Sequence, residues 1–330
     1  MNVMMLTAGE GTRLRPHTTF MPKPAISFLN VPLYAYSLFF LNELSIKKVV
    51  MNTFHLPSKL KSTVKSFKHT YPIYFSDEDT LLGSGGGIGH AKAYFQAEGD
   101  FILMNGDEVI IPKSNDQIRH AVQHHKASGA IATLLVIEHP EVGTKFGGAW
   151  VDASNRVLGF GKEKIASSVK GFHYIGVTIF SEKIFNYIKP GESNILYDAL
   201  TDAIKDGNKA DVFPFPCTWF ETGNEVDFKT ATHRCMDMLA SKTAESKYLM
   251  SVIRWRSPNT EFVQMNNRVI LADKKLDFDF EVLMGYNVLG EGVKLKKGCR
   301  LKNCIIGPRV QIQNVDQLEN TMIINDQDVF

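Results

Sequence analysis

The stretch LTAGEGTRLRP (residues 6–16), followed by PKP (residues 22–24), decides the fold of this chain. It comes directly after the apolar run at residues 3–6, which predicts a buried first strand. Because Gly9 and Gly11 carry no Cβ, they let the backbone approach an anion closely and direct N–H groups towards it. The glycine spacing is neither that of a P-loop nor the dinucleotide-binding G-x-G-x-x-G. A strand that opens into such a loop predicts a polyphosphate site.

Two cations accompany the loop: Arg13 supplies a planar, fixed charge and Lys23 a mobile one. The two motifs together resemble the signature of the sugar nucleotidyltransferases, in which L-x-[AG]-G-x-G-T-R-L-x-P precedes P-K-P. The resemblance implies that a nucleoside triphosphate (NTP) and a sugar 1-phosphate give an NDP-sugar and pyrophosphate, with Mg²⁺ as cofactor. Arg13 would hold the β- and γ-phosphates and Lys23 the α-phosphate. The implied nucleotide-binding residues of the two motifs are Leu6, Ala8, Gly9, Gly11, Thr12, Arg13 and Lys23.

Length and composition favour a globular protein of two domains. The chain has 330 residues, of which 44% are hydrophobic and 22% charged. A net charge of +2 is too small to predict a nucleic-acid or membrane partner, so any phosphate binding should be local. The four cysteines form no C-x-x-C pair, which favours free thiols in a reducing cytoplasm over a disulfide or zinc role.

The first hundred residues alternate short apolar runs with amphipathic segments. Strands are predicted at residues 3–6, 48–52, 73–75 and 101–104, with helices between them. This alternation predicts an α/β, Rossmann-like domain with a mainly parallel sheet, whose ligands bind beyond the carboxyl ends of the strands. The predicted catalytic domain covers residues 1–253 and ends in a helical connector at about 225–253.

A period of six residues marks the end of the chain, where residues 258–330 form the second predicted domain. The aliphatic residues on this period are Leu283, Leu289, Leu295, Leu301 and, after a slip of one residue, Ile306, Ile312, Leu318 and Ile324. The period predicts a short parallel β-helix, with a meandering β-domain as the alternative. It resembles the left-handed β-helix that follows many nucleotidyltransferase domains. Its open end predicts a homo-oligomer.

Two carboxylates are candidates for holding Mg²⁺. Asp107 follows a glycine at the end of an apolar strand, and the resemblance implies that it is the principal metal ligand. The family pattern W-x-D-x-G-T-P has its counterpart in WFETGNE (residues 219–225), so Glu221 takes the aspartate position. Asp227 is a rival ligand, and Glu221 could instead cap the helix that follows.

Recognition of the sugar phosphate is predicted in the middle of the chain. FGKEK (residues 160–164) resembles the F-x-E-K-P element, which implies that Glu163 accepts hydrogen bonds from sugar hydroxyls and Lys164 meets the phosphate. The proline of that element is replaced by Ile165. Gly147 and Gly176 match glycines that flank the sugar in the family.

A further glycine-rich stretch, LGSGGG (residues 82–87), resembles the L-G-T-A-G loop that covers the nucleobase. It adds Gly83, Gly85 and Gly86 to the implied nucleotide-binding residues, and Glu78 stands where several guanylyltransferases carry an acidic residue. Histidines stand at positions 120, 124 and 125. The spacing from 120 to 124 could place two of them on one helix face as metal ligands, although a solvent-facing surface is the simpler interpretation.

The short β-helix tail and the E-x-x-x-L-G-x-x-G arrangement at residues 78–86 resemble those of the guanylyltransferase branch of the family, which implies GTP and mannose 1-phosphate as substrates, with UTP- or dTTP-dependent transfer as alternatives. A non-catalytic subunit that binds an NDP-sugar is a hypothesis of another class, supported by the altered WFETGNE segment. The presence of Arg13, Lys23 and Asp107 argues against that hypothesis. Acyl transfer by the β-helix is disfavoured because the tail is short.

Overall fold

The computed structural model describes residues 1–277 and 279–325. The chain divides into two units, of which the first comprises Met1–Gly9, Phe40–Pro57 and Lys68–Trp219. The second comprises Glu10–Phe39, Ser58–Phe67 and the chain from Phe220 onwards. The predicted domain boundary at residues 253–258 lies within the second unit and stays a prediction. Positions 278 and 326–330 of the predicted β-helix domain lie outside the described residues.

The helices and strands are numbered in chain order. The helices are α1 (Leu33–Phe40), α2 (Pro57–Lys65), α3 (Gly83–His90), α4 (Gln117–Ser128), α5 (Thr201–Lys205), α6 (Glu225–Ala240) and α7 (Ala244–Arg256). The strands up to Phe220 are β1 (Asn2–Leu6), β2 (Ser27–Phe28), β3 (Val31–Pro32), β4 (Lys48–Thr53), β5 (Ile73–Asp77), β6 (Phe101–Asn105), β7 (Val109–Pro112), β8 (Ala132–Ile137), β9 (Gly148–Val151), β10 (Val157–Gly161), β11 (Lys170–Phe180), β12 (Ala210–Pro214) and β13 (Cys217–Phe220). Those that follow are β14 (Thr260–Met265), β15 (Arg268–Asp273), β16 (Leu283–Leu289), β17 (Lys294–Leu295), β18 (Arg300–Lys302), β19 (Ile305–Ile306), β20 (Gln311–Ile312), β21 (Gln317–Glu319) and β22 (Met322–Ile323).

The first unit is built on a sheet with the strand order β10-β9-β11-β6-β1-β4-β5, extended by β8 and β12. Strands β6, β1, β4 and β5 are parallel, and β12 is parallel to β8. Strand β11 runs antiparallel to β6, β8 and β9. The predicted α/β architecture with a parallel centre is confirmed. Because Leu6 pairs with Asn105, the two motifs that follow β1 and β6 begin at the same edge of the sheet.

Continuous apolar runs explain the buried strands of this sheet. Val3, Met4 and Met5 of β1 are fully buried, as expected of a parallel strand covered on both faces. The core beside β6 is aromatic: the ring of Phe101 lies 5.0 Å from that of Phe95 and 5.3 Å from that of Phe185. The strand ends are therefore held by a packed interior and can position side chains precisely enough for chemistry.

In the second unit, the segment predicted as a helical connector at about residues 225–253 forms two helices, α6 and α7. Asn224 and Thr243 cap α6 and α7, and residues 241–243 separate the two helices.

Among the described residues, none of the helices combines the length and apolar character needed to cross a bilayer.

In the C-terminal part of the chain, β14 pairs antiparallel with β15, and the strand pairs from β15 onwards are parallel. Leu283 pairs with Leu301 and Leu301 with Leu318, and the aliphatic residues on the six-residue period fill the interior. This arrangement is consistent with the predicted β-helix, whose left-handed winding stays a prediction. At the last coil the partner of Ile306 is Ile323, one residue before the position predicted from the period.

Candidate active site

The ends of β1 and β6 are joined by backbone contacts in the first unit. The amide of Gly106 donates to the carbonyl of Leu6 at 2.9 Å. A Cβ at Gly106 would lie 3.0 Å from that same oxygen, so glycine permits the close approach. Asp107 follows and is half-buried. A carboxylate presented at the end of a rigid strand suits a role as a metal ligand.

A buried polar network fixes the start of the glycine-rich segment. The side-chain oxygen of Asn52 accepts from the amide of Thr7 at 2.8 Å, and the Asn52 amide group donates to Glu78 Oε1 at 2.7 Å. Glu78 Oε2 accepts from the amide of Leu82 at 3.1 Å. Glu78 is only 7% exposed, and both of its oxygens are engaged within the protein. Its structural role is thus to hold residue 82 in place, and neither Thr7 nor Asn52 was identified from sequence.

The glycines predicted to read the nucleobase belong to α3, and they pack closely against residues 191–194. The amide of Gly85 donates to the carbonyl of Ser193 at 2.8 Å. A Cβ at Gly83, where φ is +69°, would lie 2.6 Å from that carbonyl, and one at Gly86 would overlap the carbonyl of Gly191. The absence of side chains at these glycines allows the backbone of α3 to pack closely against that of residues 191–194. The N–H of Gly85 already donates to a carbonyl of the protein.

Glu108, next to Asp107, is held by a second network. Its Oε1 accepts from the side-chain amide of Asn105 at 2.9 Å, and its Oε2 accepts from Trp219 Nε1 at 2.8 Å. Gly176 has φ +78°, and a Cβ there would lie 2.5 Å from Glu108 Oε1. The predicted sugar-side glycine therefore adjoins the carboxylate that follows the predicted metal ligand.

An aromatic cluster surrounds Trp219 in the same unit. The Trp219 ring lies 4.4 Å from that of His173, 5.7 Å from that of Phe146 and 6.3 Å from that of His139, measured between centroids. His173 is 8% exposed. Burial, reinforced by the neighbouring His139, lowers the pKa of His173 to about 4, so its imidazole is neutral at physiological pH.

The predicted sugar-phosphate residues lie on or beside β9 and β10. Gly161 ends β10 and accepts from Trp150 Nε1 at 2.9 Å, and a Cβ at Gly147 would lie 3.7 Å from the Gly161 carbonyl carbon. Glu163 and Lys164 follow β10 and are exposed. Within residues 1–277 and 279–325, neither side chain has an ion pair that would withdraw it from a ligand.

The glycine-bearing stretch of residues 6–16 continues into the second unit from Glu10 onwards. Gly11 has φ +63° and accepts hydrogen bonds at its carbonyl from the amide of Leu14 and the hydroxyl of Thr18, both at 2.9 Å. These bonds shape a short helical turn at Thr12–Leu14. A Cβ at Gly11 would lie 3.2 Å from Cβ of Lys23, so the two motifs of the signature are adjacent.

Glu221 lies beside Arg13, with 3.9 Å between Glu221 Oε1 and Arg13 Nη2. The Arg13 side chain is 70% exposed and that of Glu221 is 19% exposed. Asn224, not Glu221, caps α6: its side-chain oxygen accepts from the amide of Asp227 at 2.9 Å. The Asn224 side chain also donates to Asp227 Oδ2 at 2.7 Å, which ties down the rival metal ligand.

Groups of three or more histidine, cysteine, aspartate or glutamate side chains that could hold a metal do not occur in the described part of the chain. The histidines of α4 differ in exposure. His120 is exposed, as predicted, whereas His125 is 3% exposed and its Nδ1 lies 2.8 Å from Thr133 Oγ1. The predicted surface location was wrong for His125 because that face of α4 packs on the sheet.

Comparison with known proteins places these motifs in a family. Residues 2–237 match the family described as nucleotidyl transferase. The chain belongs to this family. It is 24% identical to the mannose-1-phosphate guanyltransferase of Emericella nidulans, over 99% of this chain and 91% of that protein. It is 26% identical to the UTP–glucose-1-phosphate uridylyltransferase of Synechocystis, over 69% of this chain and 61% of that protein's length.

The fold is shared with solved structures. The UDP-glucose pyrophosphorylase of Acinetobacter baumanii superposes with a TM-score of 0.62 at 15% identity, covering 77% of this chain and 98% of that one. The agreement supports the architecture of the nucleotidyl transferase domain.

Proposed function

We propose that the protein transfers a nucleotidyl group from an NTP to a sugar 1-phosphate and releases pyrophosphate. An oxygen of the sugar phosphate forms a bond to the α-phosphorus, and the bond from that phosphorus to the bridging oxygen of the β-phosphate breaks. The observation that carries the proposal is that β1 and β6 are neighbouring parallel strands, so the glycine loop after β1 and the segment with Asp107 after β6 begin at the same edge of the sheet.

Each of the three cationic side chains would bind different phosphate groups. Arg13 would neutralise the leaving β- and γ-phosphates, and its exposed guanidinium is free to reorient because its contact with Glu221 is long. Lys23 would meet the α-phosphate and Lys164 the phosphate of the sugar. Glu163 would accept hydrogen bonds from sugar hydroxyls, with Gly147 and Gly176 allowing the sugar to approach the backbone.

The nucleotide would be held by the glycine loop and the start of α3. The proposed residues are Leu6, Ala8, Gly9, Gly11, Thr12, Arg13, Lys23, Gly83, Gly85 and Gly86. Gly9 supports this assignment, because no described atom lies within 4 Å of the position its Cβ would take. Packing within the protein therefore does not require a glycine at this position, and the open space leaves room for the approach of a ligand.

Asp107 and Glu221 are the proposed ligands of Mg²⁺. Both offer oxygen atoms, which this ion prefers, and Mg²⁺ is commonly held by one or two carboxylates together with substrate phosphates. When bound, the ion supplies positive charge that offsets the charge developing on the phosphates. Since Asn224 caps α6, Glu221 is not needed for the cap and can serve the ion.

GTP and mannose 1-phosphate are the proposed substrates. The guanyltransferase relative aligns with 99% of this chain, including the C-terminal strands, whereas the uridylyltransferase relative aligns with 69%. UTP- or dTTP-dependent transfer stays the alternative, as does a non-catalytic NDP-sugar-binding subunit. We also propose a homo-oligomer formed through the β-helix and a cytoplasmic location.

Release of pyrophosphate from each NTP, measured against a panel of sugar 1-phosphates, tests these proposals together. We expect turnover with GTP and mannose 1-phosphate to exceed that of every other pair. Turnover with UTP or dTTP alone would select the alternative substrates, and no turnover with any pair, despite binding of an NDP-sugar, would support the non-catalytic subunit.

The variant Gly9→Ala tests the loop without disturbing the fold. Since the Cβ meets nothing and φ lies outside the left-handed region, the free energy of unfolding should stay constant or rise by about 0.4–1 kcal/mol. The Km for the NTP should rise at least tenfold, or kcat should fall at least tenfold, because a methyl group would stand where phosphate passes. A variant of wild-type stability and wild-type kinetics would contradict the role of the loop.

A further inference from the structure

His173 is a buried imidazole that the mechanism above does not use. Both of its ring nitrogens are buried, and among the described residues neither has a hydrogen-bond partner. Leaving a buried polar group unsatisfied costs about 1–3 kcal/mol. Native structures contain few such groups, so each one calls for an explanation.

The surroundings of His173 consist of aromatic rings on the sugar side of the first unit. Its ring lies 4.7 Å from that of Phe146, which precedes Gly147, and 4.4 Å from that of Trp219. Trp219 in turn donates to Glu108, which adjoins Gly176. His173 is thus enclosed by the neighbours of two glycines predicted to flank the sugar.

Strand pairing confirms this placement. In the ladder between β11 and β9, Phe172 pairs with Ala149, so His173 stands one residue further along, towards the end of β9 that carries Gly148 and Gly147. On its other side, His173 pairs with Ile137 of β8, which leads into the segment carrying His139. The position is therefore set by the sheet and does not depend on a loop conformation.

We propose that His173 determines specificity by hydrogen-bonding a hydroxyl group of the sugar 1-phosphate, when the half-buried ring of Phe146 turns aside to admit it. This inference rests on the proposed function and deepens it. A neutral imidazole has one donor and one acceptor nitrogen, which matches a hydroxyl group that both accepts and donates. The lowered pKa keeps the ring neutral, and so keeps this pairing, throughout the pH range of an ordinary assay.

The sequence did not reveal this residue because nothing in the predicted motifs includes it. Glu163 and Lys164 are exposed, and an exposed carboxylate can bond many hydroxyl arrangements. A buried donor and acceptor discriminate more strongly, since a sugar that lacks the matching hydroxyl leaves them unpaired.

The variant His173→Phe tests the proposal, because it keeps an aromatic ring in the cluster and removes both nitrogens. We expect kcat/Km for the sugar 1-phosphate to fall about ten- to a hundredfold, with the Km for the NTP changed less than twofold. His125→Phe is the matched control, since it replaces another buried histidine of the same unit, and it should leave both constants unchanged.

Deoxy analogues separate a sugar contact from a packing role. If His173 bonds one hydroxyl, the wild-type enzyme should lose activity on the analogue lacking that hydroxyl, and His173→Phe should lose no more on it. Equal ratios of wild-type to variant activity on every analogue, or an unchanged kcat/Km on the full sugar, would overturn the proposal.

His173→Gln provides a second test of the proposal if the phenylalanine variant fails to fold. It retains a donor and an acceptor, so it should keep the wild-type preference among the deoxy analogues at reduced activity, and loss of that preference would count against the proposal. The failure of the proposed function itself is distinguishable, because the wild-type protein would then release no pyrophosphate from any substrate pair.

Discussion

Replacing Gly176 by alanine should disturb the hydrogen bonds around Glu108 and so lower the free energy of unfolding by more than backbone strain alone would explain. Its φ of +78° places a non-glycine residue in the left-handed region, at about 1–2 kcal/mol. The new Cβ would lie 2.5 Å from Glu108 Oε1 and 2.8 Å from Asn105 Nδ2, so the carboxylate must move. Loss of one of its two charged hydrogen bonds adds about 1.5–3 kcal/mol. We expect the free energy of unfolding to fall by a total of about 2.5–5 kcal/mol.

Gly207→Ala is the matched control. Its φ is +84°, but no described atom lies within 4 Å of its Cβ position, so it should lose only the backbone component of about 1–2 kcal/mol. Urea denaturation of the two variants measures the difference, and pyrophosphate release measures its effect on the site. Gly176→Ala should also lose at least tenfold in kcat/Km, because Asp107 adjoins the displaced Glu108. Equal losses of stability in the two variants would refute the reasoning.

The remaining predictions concern charge. Asp107→Asn should abolish pyrophosphate release with little change in stability, and added Mg²⁺ should not restore it. Glu221→Gln should reduce pyrophosphate release less. Activity of Asp107→Asn near the wild-type level would exclude Asp107 as a ligand. The pKa of His173 falls from 6.5 to about 4 on folding, so between these pH values the unfolded chain binds a proton more readily than the folded one. The free energy of unfolding should therefore fall by up to about 3 kcal/mol as pH drops through this window. His173→Phe should show a shallower fall when its free energy of unfolding is measured against pH, and an identical slope would contradict the buried, neutral imidazole.

The parts of the fold that follow from local pattern were predictable. The strand at residues 2–6 is a run of apolar residues that opens into glycine, and the strand ending at Asn105 repeats that design. Parallel pairing puts both ends at one edge whatever their separation along the chain. The six-residue period was equally informative, because each coil of parallel strands must bury an aliphatic residue at the same place.

Residues whose role depends on tertiary contacts were not predictable. Five of the eight residues of α3 are glycine, and each weakens a helix by about 1 kcal/mol relative to alanine, so the sequence favours a loop there. The helix forms because Gly83, Gly85 and Gly86 fit against residues 191–194, and the other two glycines fit against the side chains of Asn52, Glu78 and Ile188. In the same way, the sequence shows Glu108 only as the residue that follows Asp107. The hydrogen bond from Trp219, seen only in the structure, identifies what holds its carboxylate.

The altered WFETGNE segment bears on whether the protein is catalytic. Its departures from the family pattern are conservative once their positions are known. Asn224 replaces threonine at the cap of α6, and both residues are good helix caps. Glu225 replaces proline at the first helical position, where a negative charge is favourable, and its Oε2 lies 3.6 Å from Nε2 of the buried His17. Glu221 keeps a carboxylate beside Arg13. The substitutions thus preserve the capped turn and keep a carboxylate beside Arg13, so the departures in this segment are compatible with the proposed catalytic role.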